Sequence, residues 1–199
     1  MKKLLFNTGI IVSLFVAGCR KAALSENLST SSVNVSEFVE YVIPKGEHYA
    51  NGNDFTALDI SELKFTVRFD SSCIYKTASP ENQFDINKLY GFSDNGALHQ
   101  QYSARFGWRW SDGALRLFAY TYNNGVRSSR ELGIVPIGED VHCSIGVTGK
   151  GYVFVVDEKS ETMERLSTSS TAKGYRLYPY FGGDEPAPHD VHIWIKEEN

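Results

Sequence analysis

Arginine and tyrosine alternate on two adjoining runs of this chain, with Arg105 and Arg109 on the first and Arg116, Tyr120 and Tyr122 on the second. Arginine meets a carboxylate through two parallel, charge-assisted hydrogen bonds. A tyrosine ring stacks on a sugar face while its hydroxyl bonds to sugar oxygens. Together these residue types suit an anionic sugar. The chain itself is acidic, with a formal net charge of -4, so the arginines form a local exception. They also have an ordinary use, because cross-strand arginines pair with Glu or Asp on a neighbouring strand and tyrosines fill the outer layer of a sheet.

A hairpin positions these residues. Residues 103–110 and 115–122 alternate at period two and are joined through Asp112-Gly113, a strong local turn signal. One face carries Ala104, Phe106, Trp108, Leu115 and Leu117, and the other carries Arg105, Arg109, Arg116, Tyr120 and Tyr122. Later runs extend the polar face. The apolar set Val141, Cys143, Ile145 and Val147 leaves His142 on the polar side, and residues 175–181 offer Arg176, Tyr178 and Tyr180. The final strand turns Val191, Ile193 and Ile195 inward. The segment leading into the hairpin adds His99, Gln101 and Tyr102.

Helical period is nearly absent from residue 37 onward. Short alternating runs instead cover 38–43, 63–69, 73–76, 89–92, 103–110, 115–122, 127–132, 141–147, 152–156, 162–166, 175–181 and 191–195, punctuated by Gly, Asn, Asp and Pro. That spacing predicts an all-β sandwich or barrel, and residues 37–199 suit a single domain. Beyond Cys19, only Cys73 and Cys143 remain, as a disulfide or as two buried thiols. No Cys-x-x-Cys, His-Glu-x-x-His or Gly-rich phosphate loop occurs, which argues against zinc, redox and nucleotide chemistry and against a nucleic-acid partner. Asp184, Glu185 and Asp190 lie in a Gly/Pro-shaped loop whose oxygens suit calcium, or which is a solvated turn.

The hairpin, the stretch Lys88-Leu-Tyr-Gly-Phe-Ser-Asp94 and the closing Tyr178-Pro-Tyr-Phe-Gly-Gly-Asp-Glu-Pro-Ala-Pro-His-Asp-Val-His-Ile-Trp-Ile195 resemble the concanavalin A-like jelly rolls. Within them, the resemblance leans towards the branch that includes alginate-lyase-like and glucuronan-lyase-like polysaccharide lyases. It covers most of residues 60–195. It implies a two-sheet antiparallel β-sandwich with a glycan across the concave sheet, often with bound calcium.

Lyase chemistry on a uronate needs a cation for the carboxylate, a base for the C5 proton and an acid for the leaving oxygen. Arg105 or Arg109 suits the first role, and Tyr120, Tyr122 or His142 the second or third. The Gln-(Ile/Val)-His strand and the Tyr-Phe-Lys-Ala-Gly motif of alginate lyases are absent, which ranks glycan binding ahead of catalysis. The expected ligand-binding set is Arg105, Arg109, Arg116, Tyr120, Tyr122, His142, Arg176 and Tyr178.

The start of the chain sets location. A basic beginning, a short apolar run and Val16-Ala17-Gly18-Cys19 resemble the lipobox of bacterial lipoproteins. The resemblance implies cleavage of residues 1–18, lipidation of Cys19 and a cell-envelope location with membrane contact through the lipid alone. Residues 19–36, rich in Ser and Asn, read as a tether. Three functions remain open: a lipid-anchored glycan-binding protein favouring acidic polysaccharide, a uronate lyase, and a structural or adhesion lipoprotein.

Overall fold

The computed structural model describes residues 37–198. The expected signal peptide, tether and lipidated Cys19 lie outside the described residues. Twelve strands follow in chain order: β1 Val39–Ile43, β2 Ala57–Ile60, β3 Glu62–Phe69, β4 Asn87–Ser93, β5 Tyr102–Ser111 and β6 Ala114–Asn123 form the first half. The second half is β7 Val126–Val135, β8 Asp140–Val147, β9 Gly151–Val156, β10 Lys159–Glu164, β11 Ala172–Leu177 and β12 Val191–Glu198. They build two antiparallel six-stranded sheets, ordered β1-β12-β3-β8-β9-β10 and β2-β11-β4-β5-β6-β7.

The central hairpin forms as its alternation requires. Asp112 and Gly113 take φ of 53° and 71°, the positive values that a two-residue turn matching the strand twist demands. Asn124 and Gly125 repeat this between β6 and β7, at 49° and 80°. The β5–β6 register sets Arg105 opposite Tyr120 and Arg109 opposite Arg116. The other parity, Phe106, Trp108, Leu115 and Leu117, is at most 1% exposed.

The core lies between the sheets and is strongly aromatic. Phe65 of β3 meets Phe106 of β5 edge-on at 5.6 Å, and Phe106 meets Phe154 of β9 at 5.2 Å. Each such ring, fully buried, contributes about 1.5–3 kcal/mol. Arg165, just beyond β10, and Asp94, just beyond β4, are ion-paired at 2.8 Å with no side-chain exposure. The Tyr152 hydroxyl also donates to Asp94, at 2.7 Å. Burial alone would raise the Asp94 carboxyl, but the bonds from Arg165 and Tyr152 outweigh it and hold the group below its ordinary range.

Several expectations shift. Residues 73–76 are not a strand. A single 3-10 turn, Ser71–Cys73, lies there, capped by the Asp70 carboxylate accepting from the Ser72 amide at 2.8 Å. The run expected at 175–181 begins earlier and stops at Leu177, because Pro179 removes a ladder donor. The run expected at 162–166 likewise starts earlier, as β10. Strand β2 was not expected. Cys73 and Cys143 are free, buried thiols, and burial pushes both pKa values up.

Candidate functional site: a cationic, aromatic groove

The outer face of the β2-β11-β4-β5-β6-β7 sheet holds a groove of roughly 670 Å³, within the ordinary range for a ligand cleft. Its floor comes from Arg105, Tyr120 and Tyr122 of the hairpin and Lys88 of β4. Tyr175 of β11 and Tyr180 close one side, Tyr49 and Phe55 rise from the segment before β2, and His99 comes from the β4–β5 connection. Arg127 of β7 borders it too.

Arg105 dominates the floor electrostatically. It is 8% exposed, and its Nε has no hydrogen-bond partner among the described residues. Among the described residues, the arginines that form ion pairs are Arg68, Arg116, Arg130, Arg165 and Arg176. Arg105 is not among them. Burial lowers its pKa, with a partial offset from Tyr120 and Tyr122, yet a guanidinium keeps its proton under all ordinary conditions. An uncompensated buried charge costs several kcal/mol. Among the described residues, the groove is thus built around a cation without a counter-charge.

Its neighbours hold it in place. The Arg105 guanidinium lies 5.4 Å from the centroid of the Tyr120 ring, and Tyr120 meets Tyr122 edge-on at 5.9 Å. Burial, then the Tyr122 hydroxyl, pushes Tyr120 up to about 12, so this phenol stays protonated. The His99 amide donates to the Tyr175 hydroxyl at 3.1 Å, and His99 Nδ1 lies 3.0 Å from the same oxygen. Burial, then Arg105, lowers the His99 pKa, leaving its imidazole neutral at neutral pH.

The structure brings together only part of the expected set. Arg105, Tyr120 and Tyr122 converge. Arg109 shares their face but is drawn along the sheet, where Nη1 donates to the Phe84 carbonyl at 2.9 Å and Nε to Ser111 Oγ at 3.1 Å. Arg116 pairs with Glu131 at 2.8 Å. His142 lies on β8 of the opposite sheet, exposed and bonded to Thr66 and Glu198. Arg176 borders the groove, but its guanidinium turns between the sheets to Glu197 and Tyr90. Tyr178 packs on Tyr41 and Tyr90 at the groove's edge, with its hydroxyl 3.0 Å from Thr56 Oγ1.

The loop acids do not converge either. Glu185 accepts from the Ala78 and Ser79 amides and from Asn82, while Asp190 accepts from the Lys45 amide. Those bonds hold the Glu185 carboxyl below its ordinary pKa. Among the described residues, no group of three or more His, Cys, Asp or Glu is placed to hold a metal ion.

Sequence reasoning missed Lys88, Arg127, Tyr49, Phe55 and Tyr175. Arg127 was within reach, since the Asn124-Gly125 turn fixes it opposite Tyr122. Lys88 was hidden by a register shift between Lys88 and Gly91, which buries both Leu89 and Tyr90.

No family model matches the chain, and a search of curated proteins finds no match. Solved structures do match. Similarity to the alginate lyase AlyC3 has a TM-score of 0.57 at 11% identity, covering 81% of this chain and 74% of that one. The complex of that lyase with dimannuronate gives 0.53 at 11% identity, covering 81% and 73%. A family 16 glycoside hydrolase endo-glucanase from Bacteroides ovatus gives 0.50 at 8% identity, covering 82% and 81%. The fold is a jelly roll. At these identities the likeness establishes the jelly roll, and the groove's own residues must carry any argument about its ligand.

Proposed function

We propose that this jelly roll binds acidic polysaccharide, with Arg105 gripping a uronate carboxylate at the floor of the groove. The observation that carries this reading is a buried guanidinium that, among the described residues, has no counter-charge, beside aromatic rings suited to sugar faces. A carboxylate would supply the missing acceptor in a bidentate geometry that guanidinium fits well. Tyr49, Phe55, Tyr175 and Tyr180 offer rings for stacking along the same groove. The solved complex of the similar alginate lyase with dimannuronate supports the choice of ligand class. As a second reading, eliminative cleavage is favoured by the neutral His99 against the Tyr175 hydroxyl, next to Arg105. In this proposal Cys19 carries the lipid that holds the protein in the cell envelope.

Calorimetric titration of the full chain with oligomers of mannuronate, guluronate and glucuronate tests the binding. Arg105→Ala is expected to cost about 1.5–3 kcal/mol of binding, roughly tenfold or more in affinity. Affinity unchanged by the substitution would remove this groove as the site. Failure of all three oligomers to bind would leave the adhesion role. Labelled palmitate retained by Cys19→Ala would remove the anchor.

A further inference from the structure

We propose that Lys88 moves the proton in this groove, taking it from C5 of a bound uronate and returning it to the O4 leaving oxygen. This rests on the acidic-glycan reading and adds a chemical step. Lys88 leaves β4 on the groove face, half-buried, with Nζ 5.4 Å from the centroid of Tyr120 and 5.7 Å from that of Tyr180. Among the described residues, no carboxylate forms an ion pair with it; the lysine that does so is Lys64. The groups facing it are Arg105 of β5, Tyr120 of β6, Arg127 of β7, Tyr180 beyond β11 and Asp85 before β4.

Burial, then the two guanidinium charges, outweigh Asp85 and lower the Lys88 ammonium to about 8. Near and above neutral pH, part of the population therefore carries a free lone pair. Position matters as much as charge. Arg105 and Lys88 each lie 5.4 Å from the centroid of the same Tyr120 ring. The acidic hydrogen of a uronate sits on the carbon that bears the carboxylate, so a carboxylate held by Arg105 leaves that hydrogen in the groove that Lys88 shares. Gly182 makes room for the amine. A Cβ there would fall 2.5 Å from Lys88 Nζ and 2.3 Å from the Ile86 carbonyl oxygen.

The step balances within the groove. The neutral amine takes the C5 proton, and the C–H electron pair becomes the C4=C5 double bond as the C4–O4 bond breaks. The new ammonium then protonates O4. An unsaturated uronate and a free hydroxyl result, Lys88 is again neutral, and no co-reactant is consumed.

The test is turnover of polymannuronate, polyguluronate and polyglucuronate by the full chain, followed by the ultraviolet absorbance of the C4=C5 product. The amine must be unprotonated, so the wild-type rate is expected to rise with pH through an inflection near 8. Lys88→Arg keeps the charge and holds its proton. It is expected to bind oligouronate within about threefold of wild type while losing about a hundredfold or more in turnover. Turnover by folded Lys88→Arg within about threefold of wild type overturns the role. So does a wild-type rate that stays flat from about pH 7 to about 9, a measurement that needs no variant. Absence of product from all three polymers also overturns it, and if they still bind, the acidic-glycan reading stands. Absence of binding removes both.

Discussion

Gly91 stands opposite Arg105 in the β4–β5 pair, and the missing Cβ at residue 91 lets the arginine rise from the sheet. An added Cβ would fall 2.3 Å from Arg105 Cβ and 2.2 Å from the Ala104 carbonyl oxygen. The second obstacle is backbone and cannot swing aside. Gly91→Ala is therefore expected to cost about 1–3 kcal/mol of stability and to weaken glycan binding as well. Denaturant midpoints and calorimetry check both effects, and an unchanged midpoint would mean the strands part without penalty.

Arg105 itself should behave in the opposite way. Its charge is buried without a partner among the described residues, so Arg105→Leu removes a cost from the folded state while deleting the proposed anion contact. The expected outcome is equal or greater resistance to urea together with lost binding. A large loss of stability would show that Arg105 serves the fold.

Arg109 supplies the contrast. Its Nη1 and Nε donate to the Phe84 carbonyl and Ser111 Oγ, and its guanidinium stacks 4.8 Å over the Phe118 ring. Arg109→Ala should leave oligouronate affinity within about twofold, since Arg109 does not line the groove. A tenfold loss would mean that the Pro80–Phe84 turn releases it to the ligand.

The aromatic rim should matter for binding alone. Tyr49 is 66% exposed and Phe55 is 79% exposed, so truncating either leaves the core intact. Tyr49→Ala and Phe55→Ala are each expected to cost about 0.5–1.5 kcal/mol of glycan affinity with an unchanged thermal midpoint. No effect from either would restrict the ligand to the cationic floor.

The Asp94–Arg165 pair makes the fold sensitive to acid. Its carboxyl has a folded pKa below the ordinary value of about 3.9. The stability it contributes is complete above that ordinary value and is lost as pH falls through the lower folded one. Wild-type urea midpoints should accordingly drop below about pH 4. Asp94→Asn leaves a buried guanidinium facing a neutral amide and should cost about 3–5 kcal/mol at neutral pH. Its midpoint should also vary less with acid, and an equally steep decline would assign the acid sensitivity to other carboxyls.

Alternation made the hairpin legible, because a period of two fixes which side chains share a face, and Asp112-Gly113 fixes the register. That is enough to set Arg105 beside Tyr120. Period says nothing about which of two sheets a strand joins, so His142 had the right parity for a polar face and the wrong sheet. Arg176 escaped for another reason. Burial of arginine is paid for by Glu197 and the Tyr90 hydroxyl, partners distant in sequence, so a polar residue occupies an inward position that hydropathy assigns outward. Lys88 lies just ahead of a register shift, where counting by twos fails.

The contrast between an acidic chain and its cationic groove bears on kinetics. A polyanion approaching from afar meets net repulsion, and the local cations prevail only within about a Debye length, ~8 Å at physiological ionic strength. Encounter is therefore not steered by the molecule's long-range field. Moderate salt should then leave the arrival of glycan unchanged or speed it, while hastening its departure from the exposed Arg127 side more than from buried Arg105. Residence time, more than capture rate, would set how firmly such a protein holds its polymer.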